Sequence, residues 1–426
     1  MTNSIVPAEA SALGQRKPSR FDQLAKRLLF SLLRGLGRGE LTLIDGSARH
    51  IFGAKSDQFP LGATITVHHP RFYSSVVFGG SIGASEAFMA GQWSTDDLTT
   101  VVRITILNQK VFEGMEKGLA KLTAPLHMFI HRLRGNTKKG SRLNIAAHYD
   151  LGNDFYKLFL DETLTYSCNI FECEDSTLKE ASLAKYHRIC QKLELSSQDH
   201  VIEIGSGWGG FAIYAAQKYG CRITTTTISA AQYDLARKRI EKAGVANKVE
   251  LLLEDYRDLR GNYDKLVSIE MIEAVGHQYL DTFFRSCSNL LKENGMMLLQ
   301  AITMTDQVFD RHKRGVDFIK RYIFPGSCIP SIAAMSRSIA RASDLKLVHL
   351  EDITPHYART LQTWRERFFA NIDKVRDLGL PETFIRMWDY YLSYCEAGFA
   401  ERYLGDVQML LTKPLCRRPP LLAPLP

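Results

Sequence analysis

The residues best placed to do chemistry sit in His200-Val201-Ile202-Glu203-Ile204-Gly205-Ser206-Gly207-Trp208-Gly209-Gly210-Phe211. A β-branched apolar run breaks into glycines and resumes as Phe211-Ala212-Ile213-Tyr214-Ala215-Ala216, the pattern of a buried strand, a tight turn and a helix. Such a turn aims backbone N–H groups and the positive end of a helix dipole at a ligand, and glycines let that ligand approach closely. The spacing Gly205-x-Gly207-x-x-Gly210 satisfies the dinucleotide fingerprint, which also needs an acid about 20 residues further on for the ribose hydroxyl. The second strand ends Ile223-Thr224-Thr225-Thr226-Thr227-Ile228-Ser229, without an acid. A nicotinamide cofactor is therefore disfavoured.

Glu203, two residues before Gly205, fits instead the strand, acid, Gly-x-Gly pattern of nucleoside-binding methyltransferases. There the carboxylate lies under the turn and the amino acid part of S-adenosylmethionine lies over the glycines. A glycine turn alone is also compatible with a purely structural left-handed turn. The elements around it have to decide.

At 426 residues the chain exceeds one ordinary core, so two domains are expected. With 45% hydrophobic and 23% charged residues it has the composition of a soluble globular protein. No apolar run approaches the roughly 20 residues that span a bilayer, and no apolar segment follows Glu9, Arg16 and Lys17 as a signal peptide requires. Eight cysteines without a CxxC pair suit a reducing cytosol and argue against a zinc site. The net charge of +8 points to an anionic partner, nucleic acid or a phospholipid surface, or serves solubility alone.

Strand-like runs at Cys221–Ile228, Val249–Leu253, Lys265–Ile269 and Met296–Gln300 alternate with helical stretches such as Ala230–Ala243 and Tyr279–Leu291. That alternation predicts a parallel α/β sheet, with Leu345–Glu351 and Asp406–Leu411 as paired edge strands. The reading is an α/β protein: a Rossmann-like class I methyltransferase sheet over 142–413 and a smaller α+β N-terminal domain over 19–110. Residues 1–18 read as disordered, 111–141 as a helical, basic linker and 414–426 as a proline-rich tail. In the smaller domain, Phe21 to Leu36 predicts an amphipathic helix with Phe21, Leu24, Leu28 and Leu32 in one stripe beside Lys26, Arg27 and Arg34, suited to a membrane surface or to packing on its own domain. Short strands are expected at Leu41–Ile44, Thr64–Val67 and Val76–Phe78, and a capped helix from Thr95 or Asp96. Between Thr303 and Ser331 the run Asp317–Gly326 is aromatic and basic, either a lid over a greasy ligand or a helix packed on the sheet.

Several motifs in order, HYDLGND from His148, TYSC ending at Cys168, GSGWGG, EDYRDL, EMIEAVGH, YIFPG and PHYARTL, resemble the cyclopropane-fatty-acid synthase family, which includes the mycolic acid cyclopropane synthases. The resemblance covers Arg142 to Lys413, and residues before 110 resemble the N-terminal domain of the bacterial phospholipid enzymes. It implies methylene transfer from S-adenosylmethionine to the cis double bond of an unsaturated phospholipid acyl chain. The alkene takes the methyl, a carbocation forms, and bound bicarbonate removes a proton so that the ring closes. Carried over residue by residue, the bicarbonate ligands are Cys168, Glu273, Gln300, Ile302 and Tyr357. For the cofactor it implies Tyr166 and Ser167 at the methionine carboxylate, Gly205 and Gly207 beneath the amino acid part, Thr227 and Gln232 at the ribose, and Asp255 and Tyr256 at the adenine.

Gln300 departs from the histidine of many bacterial members, replacing a titratable group by a neutral amide. That keeps a second product open, a methyl- or methylene-branched chain from a fatty acyl C-methyltransferase. A catalytically silent lipid-binding protein is the rival from another class. A nucleic-acid partner is disfavoured, since no aromatic residues interleave with the basic ones. The expected partner is membrane phospholipid, met by a cytoplasmic protein bound peripherally at the inner face; no metal is expected, and a homodimer is left open.

Overall fold

The computed structural model describes residues 18–112, 140–141 and 151–421. The expectations for 1–17, for most of the 111–141 linker, for the His148-Tyr149-Asp150 part of the first motif and for 422–426 lie outside the described residues. Among the described residues no helix is long and apolar enough to cross a membrane, and no cluster of His, Cys, Asp and Glu could hold a metal ion.

Strand and helix alternate because apolar runs that are buried on both faces make strands, while runs with one apolar face make helices. The alternation builds a seven-stranded sheet from β5 (His200–Ile204), β6 (Arg222–Thr226), β7 (Val249–Leu252), β8 (Tyr263–Ile269), β9 (Leu291–Met304), β10 (Lys346–Asp352) and β11 (Leu404–Thr412) in the order β10-β11-β9-β8-β5-β6-β7. From β7 to β9 the neighbours are parallel, and β11 is antiparallel to both β9 and β10. This is the class I methyltransferase arrangement. The expected pair of strands closes that end of the sheet, with β11 between β9 and β10 and β10 at the edge. Helix α5 (Leu178–Lys192) starts on a capping box of Thr177 and Glu180; α6 (Gly210–Lys218), α7 (Ala230–Lys242), α8 (Leu280–Leu290) and α11 (Thr354–Ala370) follow strands or loops of the same sheet. Two apolar clusters, one including Ile202, Leu266, Phe283 and Met297 and one including Val201, Phe211, Ile223 and Leu298, fix the strands between them.

The chain divides into two units, and the division departs from simple sequence order. One unit holds Met1–His131, Gly315–Ile323 and Ile372–Tyr403; the other holds Arg132–Arg314, Phe324–Asn371 and Leu404–Pro426. Two segments assigned by sequence to the larger domain thus belong with the smaller one. In the smaller unit a four-stranded sheet of order β2-β1-β3-β4 is formed by β1 (Gly39–Asp45), β2 (Ala48–Ala54), β3 (Gly62–Val67) and β4 (Trp93–Thr95). Helix α3 (Leu98–Leu107), capped by Asp97, is tied to α13 (Glu382–Ala400) and the residue after it by Thr99 to Glu396 at 3.1 Å and Arg103 to Glu401 at 2.6 Å. The run expected as a lid or sheet helix is split. Its Ile319–Ile323 part is a π-helical turn in this unit, and Phe318 packs edge-on against Tyr390 at 4.8 Å.

Val76–Phe78 is not a strand. It lies inside α2 (Arg71–Met89), whose inward stripe includes Phe72, Tyr73 and Val77, so tertiary packing overrides the β-branched preference. Helix α1 (Arg20–Leu33) forms as expected but buries the neighbouring face, about 100° further round the helix. Ala25, Leu29 and Leu33 point inward, while Phe21, Leu24 and Leu28 are 55%, 52% and 42% exposed.

Candidate active site

The carboxyl ends of parallel strands define a crevice, and the sequence-predicted cofactor residues follow the ends of β5, β6 and β7. After β5 the chain turns through positive φ at Gly205 (98°), Gly207 (49°) and Gly209 (82°), and the N–H groups of Gly205 and Ser206 both donate to Thr226 O, at 3.1 and 2.8 Å. The turn is thereby pinned to β6. The glycines differ in purpose. A Cβ on Gly210 would lie 2.5 Å from the Tyr186 hydroxyl, so that glycine serves close packing, whereas one on Gly207 would meet no atom within 4 Å. The open face over Gly207 leaves room for a ligand to approach the backbone closely. Glu203 lies buried at the end of β5, accepting from the Thr225 hydroxyl at 2.5 Å, and burial pushes its carboxyl up to about 7 against that hydrogen bond.

Thr227 donates to Gln232 Oε1 at 2.9 Å, holding the pair expected at the ribose beside the start of α7. Asp255 is already engaged: its carboxylate takes Arg257 Nε at 2.8 Å and Nη2 at 2.6 Å, while the Tyr256 ring packs against Phe283 at 5.6 Å. Ser167 Oγ accepts from the buried Lys185 ammonium at 2.5 Å, and burial lowers that amine to about 8. Tyr166 lies in an aromatic wall with Tyr156 at 5.3 Å, Trp364 at 5.3 Å and Phe324 at 6.5 Å.

The structure brings the residues expected to hold bicarbonate into two groups, each centred on a carboxylate of the chain itself. Ile302 N–H, on β9, donates to Glu273 Oε1 at 2.6 Å. Glu273 is carried by a short helical turn, Ile272–Ala274; its Oε2 is buried without a hydrogen-bond partner among the described residues. Burial first, and then the neighbouring Glu270 charge, push this carboxyl up to about 8. The other group surrounds Glu270, which the sequence reading passed over although it opens the EMIEAVGH motif. Cys168 N–H and Gln300 Nε2 donate to its Oε1 at 2.8 and 2.7 Å, and the Tyr357 hydroxyl donates to its Oε2 at 2.6 Å. Three donors on two oxygens suit an ionised carboxylate, which only accepts. The donors are buried; Glu270 itself is partly open.

Those three donors are the ones the resemblance gives to bicarbonate. With the Glu270 carboxylate on them, a separate bicarbonate does not fit this nest. The backbone of Glu270 is also unusual, with φ at 47°, a left-handed conformation that costs a non-glycine residue roughly 1–2 kcal/mol. An acid directly after the fourth strand of a parallel sheet, at the crevice where ligands bind, was the available sequence signal. Asp406 on β11, Lys185 on α5 and the Cys168 thiol complete the buried titratable surroundings; burial and the neighbouring Glu270 hold the Asp406 carboxyl well above the usual carboxylate range.

The fold and the two carboxylate groups can be set beside known proteins. Residues 136–409 match the family described as mycolic acid cyclopropane synthetase. The chain belongs to that family. The tuberculostearic acid methyltransferase UfaA1 of Mycobacterium tuberculosis is 38% identical over 83% of this chain and 84% of its own, and the cyclopropane-fatty-acyl-phospholipid synthase of Escherichia coli is 36% identical over 82% and 86%. Among solved structures, the mycolic acid cyclopropane synthase CmaA1 complexed with SAH and CTAB superposes with a TM-score of 0.60 at 32% identity, covering 64% of this chain and 98% of that one. This member of the mycolic acid cyclopropane synthetase family is an S-adenosylmethionine-dependent methyltransferase related to lipid-modifying enzymes, and the silent lipid-binding alternative falls away.

Proposed function

We propose that the protein transfers the methyl carbon of S-adenosylmethionine to the cis double bond of an unsaturated phospholipid acyl chain, and that the Glu270 carboxylate accepts the proton which the resulting cation loses. The observation that carries this is the engagement of Cys168 N–H, Gln300 and Tyr357 by Glu270, which puts a fixed anion where the resemblance has a bound one. The cofactor supplies an electrophilic methyl group. The chain's own part is to hold the anion beside the cation, because preorganised charge needs no rearrangement as the reaction proceeds. Tyr166, Trp364 and Phe324 offer aromatic faces that attract a cation and exclude water. When the proton leaves the new methyl group, the electron pair of that C–H bond closes the ring, and the half-open Glu270 returns the proton to solvent. Cyclopropane is therefore the first expected product.

A methyl- or methylene-branched chain is the second reading, and the same nest favours it. With three donors already engaging its oxygens, the carboxylate has fewer lone pairs free to take the proton, so the cation can rearrange before it loses one. The similarity to a tuberculostearic acid methyltransferase supports that reading as well.

The acyl chain lies in a bilayer, and the exposed stripe Phe21, Leu24 and Leu28 of α1, flanked by the exposed Arg20, Arg27 and Arg34, suits an anionic phospholipid surface. The test is to express the protein in cells fed methyl-deuterated methionine and analyse their phospholipid acyl chains by mass spectrometry and proton NMR. Label arriving as CD2 with upfield ring protons supports the cyclopropane, and label with vinylic or branched-methyl signals supports the branch. An absence of label from every acyl chain would overturn the proposal.

A further inference from the structure

Outside the site, a line of polar side chains runs through the core and ends on Glu270. Its far end is Lys192, the last residue of α5, whose ammonium donates to Gln408 Oε1 at 2.7 Å. Gln408 Nε2 then donates to Gln300 Oε1 at 3.0 Å, and Gln300 Nε2 donates to Glu270 Oε1 at 2.7 Å and to Cys168 O at 3.3 Å. The register of the sheet makes the line possible, because Gln300 on β9 and Gln408 on β11 are directly opposed partners. Both amides are completely buried, so no water stands by to satisfy a reversed one.

An amide can present either its oxygen or its nitrogen to a neighbour; an ammonium can only donate and a carboxylate can only accept. The line therefore has a direction. Lys192 takes the oxygen of Gln408, which turns the Gln408 nitrogen toward Gln300, which turns the Gln300 nitrogen toward Glu270. Reversal at any point would set oxygen against oxygen in a buried place, and at Gln300 it would face both a carboxylate and the Cys168 carbonyl. Glu351, which also receives Arg188, holds Lys192 from the other side.

We propose that Lys192 and Gln408 are positioning residues for the reaction: they fix the direction of the Gln300 amide so that its NH2 group always faces the Glu270 carboxylate. The proposal rests on Glu270 as the proton acceptor. The inference explains why a neutral amide serves at position 300. A histidine could supply its own charge, whereas Gln300 draws on the charge of Lys192 through a second amide. Lys185, Glu273, Asp406, Cys168 and Tyr357 also face Glu270, and none of them contacts either amide's far end, so changing Lys192 leaves their contacts with Glu270 in place.

The test compares the full-length wild type with Lys192→Met, Lys192→Arg, the volume-conserving Gln408→Met, and Glu270→Gln. Turnover is measured across pH with methyl-tritiated S-adenosylmethionine and dioleoylphosphatidylglycerol vesicles. Lys192→Met and Gln408→Met should each lower kcat about tenfold, the size of one charge-assisted hydrogen bond, with KM and cofactor affinity unchanged. Both should also move the acid limb of the rate profile upward. Lys192→Arg should restore both, and the Lys192/Gln408 double variant should be no worse than either single one. A kcat and an acid limb both unmoved in folded Lys192→Met or Gln408→Met would overturn the positioning role. Full turnover in Glu270→Gln would instead overturn the assignment of Glu270, a separate failure.

Discussion

The glycine turn after β5 and the nest around Glu270 lie at the ends of neighbouring strands of one sheet, yet they are built on opposite logics. The turn is local: Gly205 to Gly210 are contiguous, and their purpose can be read from positive φ and from the open face over Gly207. The nest is assembled from afar, with donors 102, 30 and 87 residues away from Glu270 in sequence. The turn leaves a space for a ligand; the nest fills its space with the chain's own carboxylate. A contiguous turn can be specified by a few neighbouring residues, whereas a nest gathered from distant elements depends on the whole sheet to bring its donors onto one carboxylate.

The sharpest way to break this comparison is to remove the charge from the nest and leave the turn alone. Glu270→Gln should lower kcat by about 10²–10⁴-fold, the usual worth of a general base, with cofactor affinity by titration calorimetry unchanged. The reciprocal variant, Gly207→Val, places side-chain atoms in the open cradle at φ 49°. It should raise the cofactor Kd by at least about tenfold, or 1.4 kcal/mol, without moving the acid limb of the rate profile. If Glu270→Gln lost the cofactor, or Gly207→Val shifted the acid limb, the two regions would not be separable.

A second experiment turns the nest back into a ligand site. Glu270→Gly relaxes a left-handed backbone and frees Cys168 N–H, Gln300 and Tyr357 together. Added bicarbonate should raise the turnover of this variant about tenfold or more, and leave the wild type unchanged. Wild-type turnover that rises with bicarbonate would mean that the Glu270 carboxylate does not hold those donors during the reaction.

What could be read in advance divides along the same line. The alternating elements, the turn, and the Thr227 and Gln232 pair are short-range patterns, and they fold as read. Glu270 stands in plain view within its motif, but its meaning depends on three distant donors that no spacing rule gathers. Lys192 and Gln408 were invisible for the same reason: only the β9–β11 register opposes Gln408 to Gln300. In the smaller unit, β2 was missed because six of its seven residues are not buried, so its sequence ARHIFGA carries little apolar alternation. Helix α1 shows the converse, since its largest apolar stripe faces solvent and the small Ala25 marks the packed side. Replacing Leu24 and Leu28 by Glu should therefore leave the melting temperature nearly unchanged. Sedimentation with anionic vesicles should fall at least about tenfold, since each of the two leucines kept out of the membrane costs about 1.5 kcal/mol or more. Unaltered vesicle binding would assign that stripe another role.

The smallest expected effect separates the two carboxylates of the reacting region. Glu273 has one oxygen on Ile302 N–H and the other buried without a partner, so the folded protein favours its protonated form, with the carboxyl pushed up to about 8 from an ordinary value of 4.5. Between those two values the unfolded chain has released this proton and the folded chain retains it. The folded state binds more protons there, so stability contributed by this group is present below the lower value and declines as pH rises toward the upper one. Glu273→Gln keeps an acceptor for Ile302 N–H and removes the titration. The variant should melt close to the wild type near pH 5 and a few degrees above it near pH 8, measured by calorimetry at both values, since about 1 kcal/mol corresponds to a few degrees or less in a chain of this size. A wild type whose advantage over Glu273→Gln instead grew with pH would place an ionised Glu273 in the folded protein. Glu273 would then rival Glu270 as the resident base, and the contrast between a charged nest and a neutral neighbour would collapse.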